Sequence, residues 1–146
     1  IMDRKWDFRF LELAWVISQW SKDASTKVGA VIVDSNQRIV STGFNGFSRG
    51  LNDSVGVESR NRKLLRTIHA ESNALLFAHR SVQSCTIYVT HLPCASCCAK
   101  IIQSGITRIV VPFQDESFMV RWADDIAETR LMIAEAHIEL DILEEQ

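Results

Sequence analysis

Nothing in this 146-residue chain approaches the run of about 20 apolar residues that a membrane-spanning helix needs. Residues 1–6 carry no apolar core of signal-peptide type, so a cytoplasmic protein is expected. Positive charge is not in excess: 16 Lys and Arg face 18 Asp and Glu, a net charge of −2. A long nucleic acid, whose many phosphates need neutralising, is therefore disfavoured as a partner, whereas a mononucleotide needs only a few local cations. No linker and no internal repeat interrupts the chain, and residues 1–146 read as a single domain. Cysteines number only four, two of them in a C-x-x-C step, which favours reduced thiols over a disulfide framework. Of the other two, Cys85 opens an apolar segment and Cys98 follows Cys97, and both read as small buried hydrophobes.

What is present is a regular alternation of elements. Trp6, Phe10, Leu13, Ala14 and Ile17 recur at three- and four-residue steps, which predicts an amphipathic helix over 4–21. The β-branched run 28–33 predicts a buried strand, and 38–44 returns after a polar turn as its hairpin partner. Residues 45–67 lack periodicity and read as a long functional loop, with one short helical turn near 61–66. Helices follow at 69–80 and 94–104, the second closed by Gly105, with strands at 85–90 and 108–111. Phe118, Trp122, Ile126 and Ile133 mark a last helix before an edge strand at 137–143. Some 25 residues separate strands four and five, enough for a right-handed crossover, so these two should run parallel. The expected fold is α/β: a three-layer α/β/α domain around one five-stranded mixed sheet.

The chemistry sits at His69-Ala-Glu71 and Pro93-Cys94-Ala-Ser-Cys97. His69, Cys94 and Cys97 are three borderline or soft ligands, and catalytic zinc keeps three protein ligands where structural zinc takes four. At i and i+2 on a helix, His69 and Glu71 can meet one ion only beyond the helix N-terminus, toward which side chains lean. Cys94 and Cys97, at i and i+3, share a face at the start of the next helix, entered through Pro93. The partial positive charge of a helix N-terminus favours thiolates. Zinc there would acidify a water, and Glu71 would carry the water's protons while an amine-bearing ring carbon is attacked and ammonia lost. The competing reading is a structural zinc completed by His91 or Cys98. A lone C-x-x-C or H-x-E is a weak signal; the two in order, each opening a predicted helix after a predicted strand, are strong.

The order H-x-E then P-C-x-x-C is that of the zinc deaminases of nucleobases. Together with Ser21-Lys-Asp-Ala-Ser-Thr-Lys-Val-Gly-Ala-Val-Ile-Val33, Gly43-Phe-Asn-Gly-Phe-Ser-Arg-Gly50, His69-Ala-Glu-Ser-Asn-Ala74 and Pro93-Cys-Ala-Ser-Cys-Cys-Ala-Lys100, it resembles the deoxycytidylate (dCMP) deaminases over about residues 21–136. These belong to the zinc-dependent cytidine and deoxycytidylate deaminase superfamily. The resemblance implies a cytidine deaminase-like fold, hydrolysis of dCMP to dUMP and ammonia for thymidylate synthesis, catalytic Zn2+ on His69, Cys94 and Cys97, and Glu71 as the proton carrier. It also implies substrate contacts from Asn45 to sugar or base, from the backbone at Ala70 to the pyrimidine, and from Pro93, with Lys27 or Arg49 at the 5′-phosphate. Read from the residues alone, Asn45 is a turn residue; Lys27, Arg49, Arg60, Arg62, Lys63 and Arg66 lie in or beside the loops, each a solvated charge taken singly, with one or two of the group expected to face a phosphate.

By the same resemblance the protein forms a homohexamer regulated by dCTP and by dTTP with Mg2+, with Gly46, Arg49, Asn52 and Asp53 as effector candidates. Gly46 and Gly50 either admit phosphates to backbone N–H groups or simply permit a tight loop. Some of the four tryptophans, Trp6, Trp15, Trp20 and Trp122, are candidates for subunit contacts. Two departures from the family pattern fall in the loop before the histidine: Leu64-Leu65-Arg66 stands where Tyr-Pro-Tyr is usual, and Ser48 where proline is frequent. The alternatives are a deaminase of guanine, of a riboflavin-pathway pyrimidine or of tRNA adenosine, and a non-catalytic zinc- or nucleotide-binding regulator.

Overall fold

In the computed structural model, which describes residues 4–115, 117, 120 and 122–144, helical and strand periodicities resolve into alternating helices and strands. These are α1 (Lys5–Ser18), β1 (Gly29–Val33), β2 (Ile39–Phe44), β3 (Gly46–Phe47), α2 (Val55–Glu58), α3 (Arg60–Arg66), β4 (Thr67–Ile68), α4 (Ala70–Leu76), β5 (Thr86–Val89), α5 (Ala95–Gln103), β6 (Arg108–Pro112), α6 (Ala123–Glu135) and β7 (Glu139–Leu143). The main sheet has the order β2-β1-β5-β6-β7. β1 is antiparallel to both β2 and β5, whereas β5, β6 and β7 run parallel, as the long second-half connections require.

Alternation along the strands divides two apolar layers. Val31, Val33, Tyr88 and Val110 face Phe10, Ala14 and Ile17 of α1. Ala30, Ile32, Ile87, Val89, Ile109 and Val111 face the other side, toward α4, α5 and α6. Helices thus cover both faces, and the three-layer α/β/α expectation holds. Two glycines allow the closest helix–sheet approaches. A Cβ at Gly29 would stand 2.0 Å from the Ala14 carbonyl oxygen of α1, and one at Gly43 would stand 2.4 Å from the Ala70 carbonyl oxygen of α4.

On the α1 side a buried ionic cluster fastens the helix to the sheet. Arg108 donates two hydrogen bonds to Asp7, at 2.9 and 2.7 Å, and one to Asp141 at 2.8 Å, while the Tyr88 hydroxyl donates to Asp7 at 2.7 Å. Burial works to raise the Asp7 pKa, but the Arg108 and Tyr88 hydrogen bonds outweigh it and hold the carboxyl below its usual range.

Several boundaries differ from the sequence expectation. The helix expected over 69–80 ends at Leu76, where Phe77 leaves helical geometry at φ −95, ψ 4. The last strand begins at Glu139 because His137 adopts a left-handed φ of 57 that ends α6. Residues 45–67 are more ordered than a loop. Beyond the expected turn near 61–66, now α3, they hold α2, and Gly46–Phe47 pairs antiparallel with Thr67–Ile68. Two-residue strands carry too little periodicity to be read from sequence. Phe118, expected in the last helix, lies outside the described residues; Ile126 and Ile133 of α6 are buried as expected. At position 105 a φ of +91 explains the glycine after α5.

Candidate metal centre and the deaminase family

Two helix starts meet here: α4 follows β4 of the two-stranded β3–β4 pair, and α5 follows β5 of the main sheet. His69 is the N-cap of α4, with extended backbone at φ −70, ψ 156, and Cys94 is the N-cap of α5 at φ −66, ψ 165. The Cys94 sulfur accepts a hydrogen bond from the Cys97 N–H at 3.5 Å, an orphan donor of the first helical turn. His69 Nδ1 lies 3.4 Å from Cys94 Sγ and 3.3 Å from Cys97 Sγ, and the three ligand atoms all fall within 4.8 Å of one another.

These distances suit one tetrahedral ion. Zn–S bonds of about 2.3 Å and Zn–N bonds of about 2.0–2.1 Å put N···S edges at roughly 3.6 Å. Two thiols and an imidazole nitrogen are also the donor chemistry zinc prefers. The competing fourth ligands do not join them. Cys98 turns its sulfur to the Thr129 carbonyl at 3.9 Å, and among the described residues the ligand group holds neither Cys98 nor His91. Cys85 and Cys98 are buried thiols, as expected.

Glu71 stands in the first turn of α4 and is only 4% exposed. Burial pushes its carboxyl pKa up to about 7, against the hydrogen bond it accepts from its own main chain. The hydrogen bond from Cys97 draws the Cys94 thiol down to about 4 and, conversely, raises the Cys97 thiol. The hydrogen bond with Cys94 raises the His69 pKa.

Around this centre the partners come from remote segments. The Asp125 carboxylate accepts the Ala95 N–H at 3.0 Å, and Thr129 donates its hydroxyl to the Pro93 carbonyl at 3.0 Å, so α6 clamps the start of α5. Asn73 donates to the Phe44 carbonyl at 2.8 Å, and the Ser41 hydroxyl donates to the Ala74 carbonyl at 2.6 Å, fixing α4 to β2. None of these pairs has a spacing signature, and sequence reading missed them all.

The other predicted residues divide between places. Ala70 and Pro93 are buried beside the ligands. Asn45 is 6% exposed, and its side chain clasps the segment before β1: Oδ1 accepts from Val28 N–H at 2.9 Å and Nδ2 donates to the Thr26 carbonyl at 2.8 Å. Asn45, Gly46 and Asp53 line a cavity of about 420 Å3 with Trp20, Lys22 and Lys63. The β3–β4 pairing sets Gly46 opposite Ile68, the residue before His69. Lys63 pairs with Asp23 at 2.9 Å and Lys22 with Asp53 at 3.3 Å. Arg49 lies over the Phe77 ring at 5.3 Å, Asn52 accepts from the Ser54 N–H in a local turn, and Lys27 is exposed; none of these three lines the cavity. No atom lies within 4 Å of a Cβ built at Gly46, whereas Gly50 has a φ of +80 that favours glycine.

The fold and ligand set define a class, and comparison with known proteins agrees with it. A dCMP deaminase from the cyanophage S-TIM5, in complex with dCMP and dUMP, superposes with a TM-score of 0.78 at 24% identity over 98% of this chain and all of that one, a likeness of fold. An uncharacterised deaminase encoded in the luxG 3′ region of Aliivibrio fischeri is 48% identical over 97% of this chain and 99% of its own length. A probable deoxycytidylate deaminase of Caenorhabditis elegans is 41% identical over 73% of this chain; the match spans 57% of that protein. The model of the cytidine and deoxycytidylate deaminase zinc-binding region matches residues 4–112, and the chain belongs to this family of hydrolytic deaminases.

Proposed function

We propose that the protein hydrolyses dCMP to dUMP and ammonia, and that residues 1–146 work as one deaminase domain. The observation that carries the reading is the convergence of His69, Cys94 and Cys97 within 4.8 Å beside the buried Glu71. His69, Cys94 and Cys97 would hold zinc, which when bound supplies a Lewis acid that lowers the pKa of water to about 7. Glu71 would take the two protons of the attacking water in turn, passing one to the ring nitrogen and the other to the departing amine. A C–O bond forms at the ring carbon, the exocyclic C–N bond breaks, and ammonia leaves. The positive ends of α4 and α5 face the region where this charge develops.

The choice of dCMP rests on the names of relatives at 34–41% identity and on the motif around Asn45. Asn45 and the backbone at Ala70 and Pro93 would hold nucleoside and base. Lys27 or Arg49 would meet the phosphate, since Lys63 and Lys22 are already engaged by aspartates. The same reading takes dCTP, or dTTP with Mg2+, as effectors at Gly46, Arg49, Asn52 and Asp53. It also takes a homohexamer in the cytoplasm, with a role in thymidylate supply. Among the described residues no helix is long and apolar enough to cross a membrane.

Ammonia release from dCMP, cytidine, guanine and a tRNA anticodon stem, with and without dCTP and dTTP, tests the substrate directly. Turnover of dCMP well above the others is expected; guanine turnover with dCMP untouched overturns the assignment. Replacing Glu71 with Gln should abolish activity with zinc retained, the result that excludes a non-catalytic regulator.

A further inference from the structure

The reading above leaves Lys100 and Ser72 unused, yet together they form a chain that ends at a metal ligand. Lys100 follows the two cysteines on α5, and Ser72 follows Glu71 on α4. Lys100 Nζ lies 3.3 Å from Ser72 Oγ, and Ser72 Oγ lies 3.7 Å from Cys97 Sγ, with Ser72 and Cys97 8% and 2% exposed. All three line a cavity of about 600 Å3 that also reaches His69.

The ends of this chain fix its direction. An ammonium group has donors only, so the Lys100–Ser72 bond runs from nitrogen to hydroxyl oxygen. A sulfur bound to a metal is a thiolate with no proton to give, so the Ser72 hydroxyl must donate to Cys97. With its oxygen already accepting from a cation, that hydroxyl becomes a stronger donor.

We propose that Lys100 and Ser72 are positioning residues that deliver a charge-assisted hydrogen bond to the Cys97 sulfur and so fix its place in the ligand set. This rests on Cys97 being a zinc ligand, as inferred above. Cys94 receives instead the neutral main-chain N–H of Cys97, so the two sulfurs are not equivalent. Groups that hydrogen-bond metal ligands commonly govern metal affinity by about 10–100-fold.

Zinc release to a chromogenic chelator, and the thiolate-to-metal absorption of the cobalt(II)-substituted protein, provide the test. Neither depends on a substrate. In Ser72→Ala and in Lys100→Met, zinc should be released about 10–100-fold more readily. The cobalt band should move to longer wavelength, because an unsupported thiolate gives up its electron more easily. Ser72→Thr, which keeps the hydroxyl, should restore both readouts. Because Lys100 acts through Ser72, most of its effect should vanish in a Ser72→Ala background. A Lys100→Met effect of undiminished size in that background would show direct charge action and overturn the relay. So would a cobalt band unmoved in Lys100→Met, an exposed position whose change leaves the core intact. Cobalt or zinc that fails to bind the unmodified protein would instead strike the metal-centre reading itself.

Discussion

Gly43→Ala should damage catalysis through the fold without touching any ligand. The new Cβ would lie 2.4 Å from the Ala70 carbonyl oxygen and 2.5 Å from the Ala74 nitrogen, where ordinary contacts begin near 3.4 Å. Both neighbours are backbone, so no side chain can swing away, and α4 must move outward by about 1 Å. Overpacking of this kind typically costs about 1–3 kcal/mol. For a chain of this length that is a fall in Tm of roughly 3–10 °C. The helix that moves carries Glu71, with His69 at its cap. A misplacement of about 1 Å at such a site can cost about 100-fold in rate. Thermal unfolding, zinc content and dCMP turnover of the purified variant should show a lower Tm, zinc still bound more weakly, and kcat down by about 10–100-fold. Wild-type Tm together with kcat within about twofold would refute the argument that Gly43 sets the position of α4.

Asp7→Asn should destabilise by about 2–3 kcal/mol, less than the about 3–5 of a fully abandoned buried charge, because Arg108 keeps Asp141. Since the folded pKa of Asp7 is depressed, its contribution is present above the usual carboxylate range and lost as pH falls through the folded value. Urea unfolding from neutral to acid pH should accordingly find the mutant less acid-sensitive; parallel profiles would contradict this. Glu71→Gln should lower kcat by about 100–10,000-fold while one zinc per chain remains, measured by turnover and metal analysis. Lys27→Ala should raise KM for dCMP while leaving KM for the phosphate-free deoxycytidine unchanged; equal effects on both would remove Lys27 from the phosphate. Chelation should abolish turnover and lower Tm, both restored by zinc.

How much could be read from sequence follows the kind of signal involved. The α1 stripe and the β-branched strands were legible because burial imposes a period over many residues, and Phe10, Ala14 and Ile17 are indeed in the core. The ligands were legible because metal coordination fixes both residue type and short spacing. Residues 45–67 were not, since α2 and the β3–β4 pair are set by tertiary contact in segments too short to show periodicity. The clamp from Asp125 and Thr129 onto the start of α5, and the Lys100–Ser72–Cys97 chain, join positions 25 to 36 residues apart with no pattern between them. The stacking of the Arg49 guanidinium on the Phe77 ring likewise joins two segments that no spacing pattern links.

X-ray absorption at the zinc edge of the purified protein addresses the central arrangement most directly. The account predicts one zinc per chain surrounded by two sulfur and two nitrogen or oxygen scatterers, one of the latter exchangeable with added ligand. A shell of four ligands all drawn from the polypeptide, or no zinc at all, would contradict it.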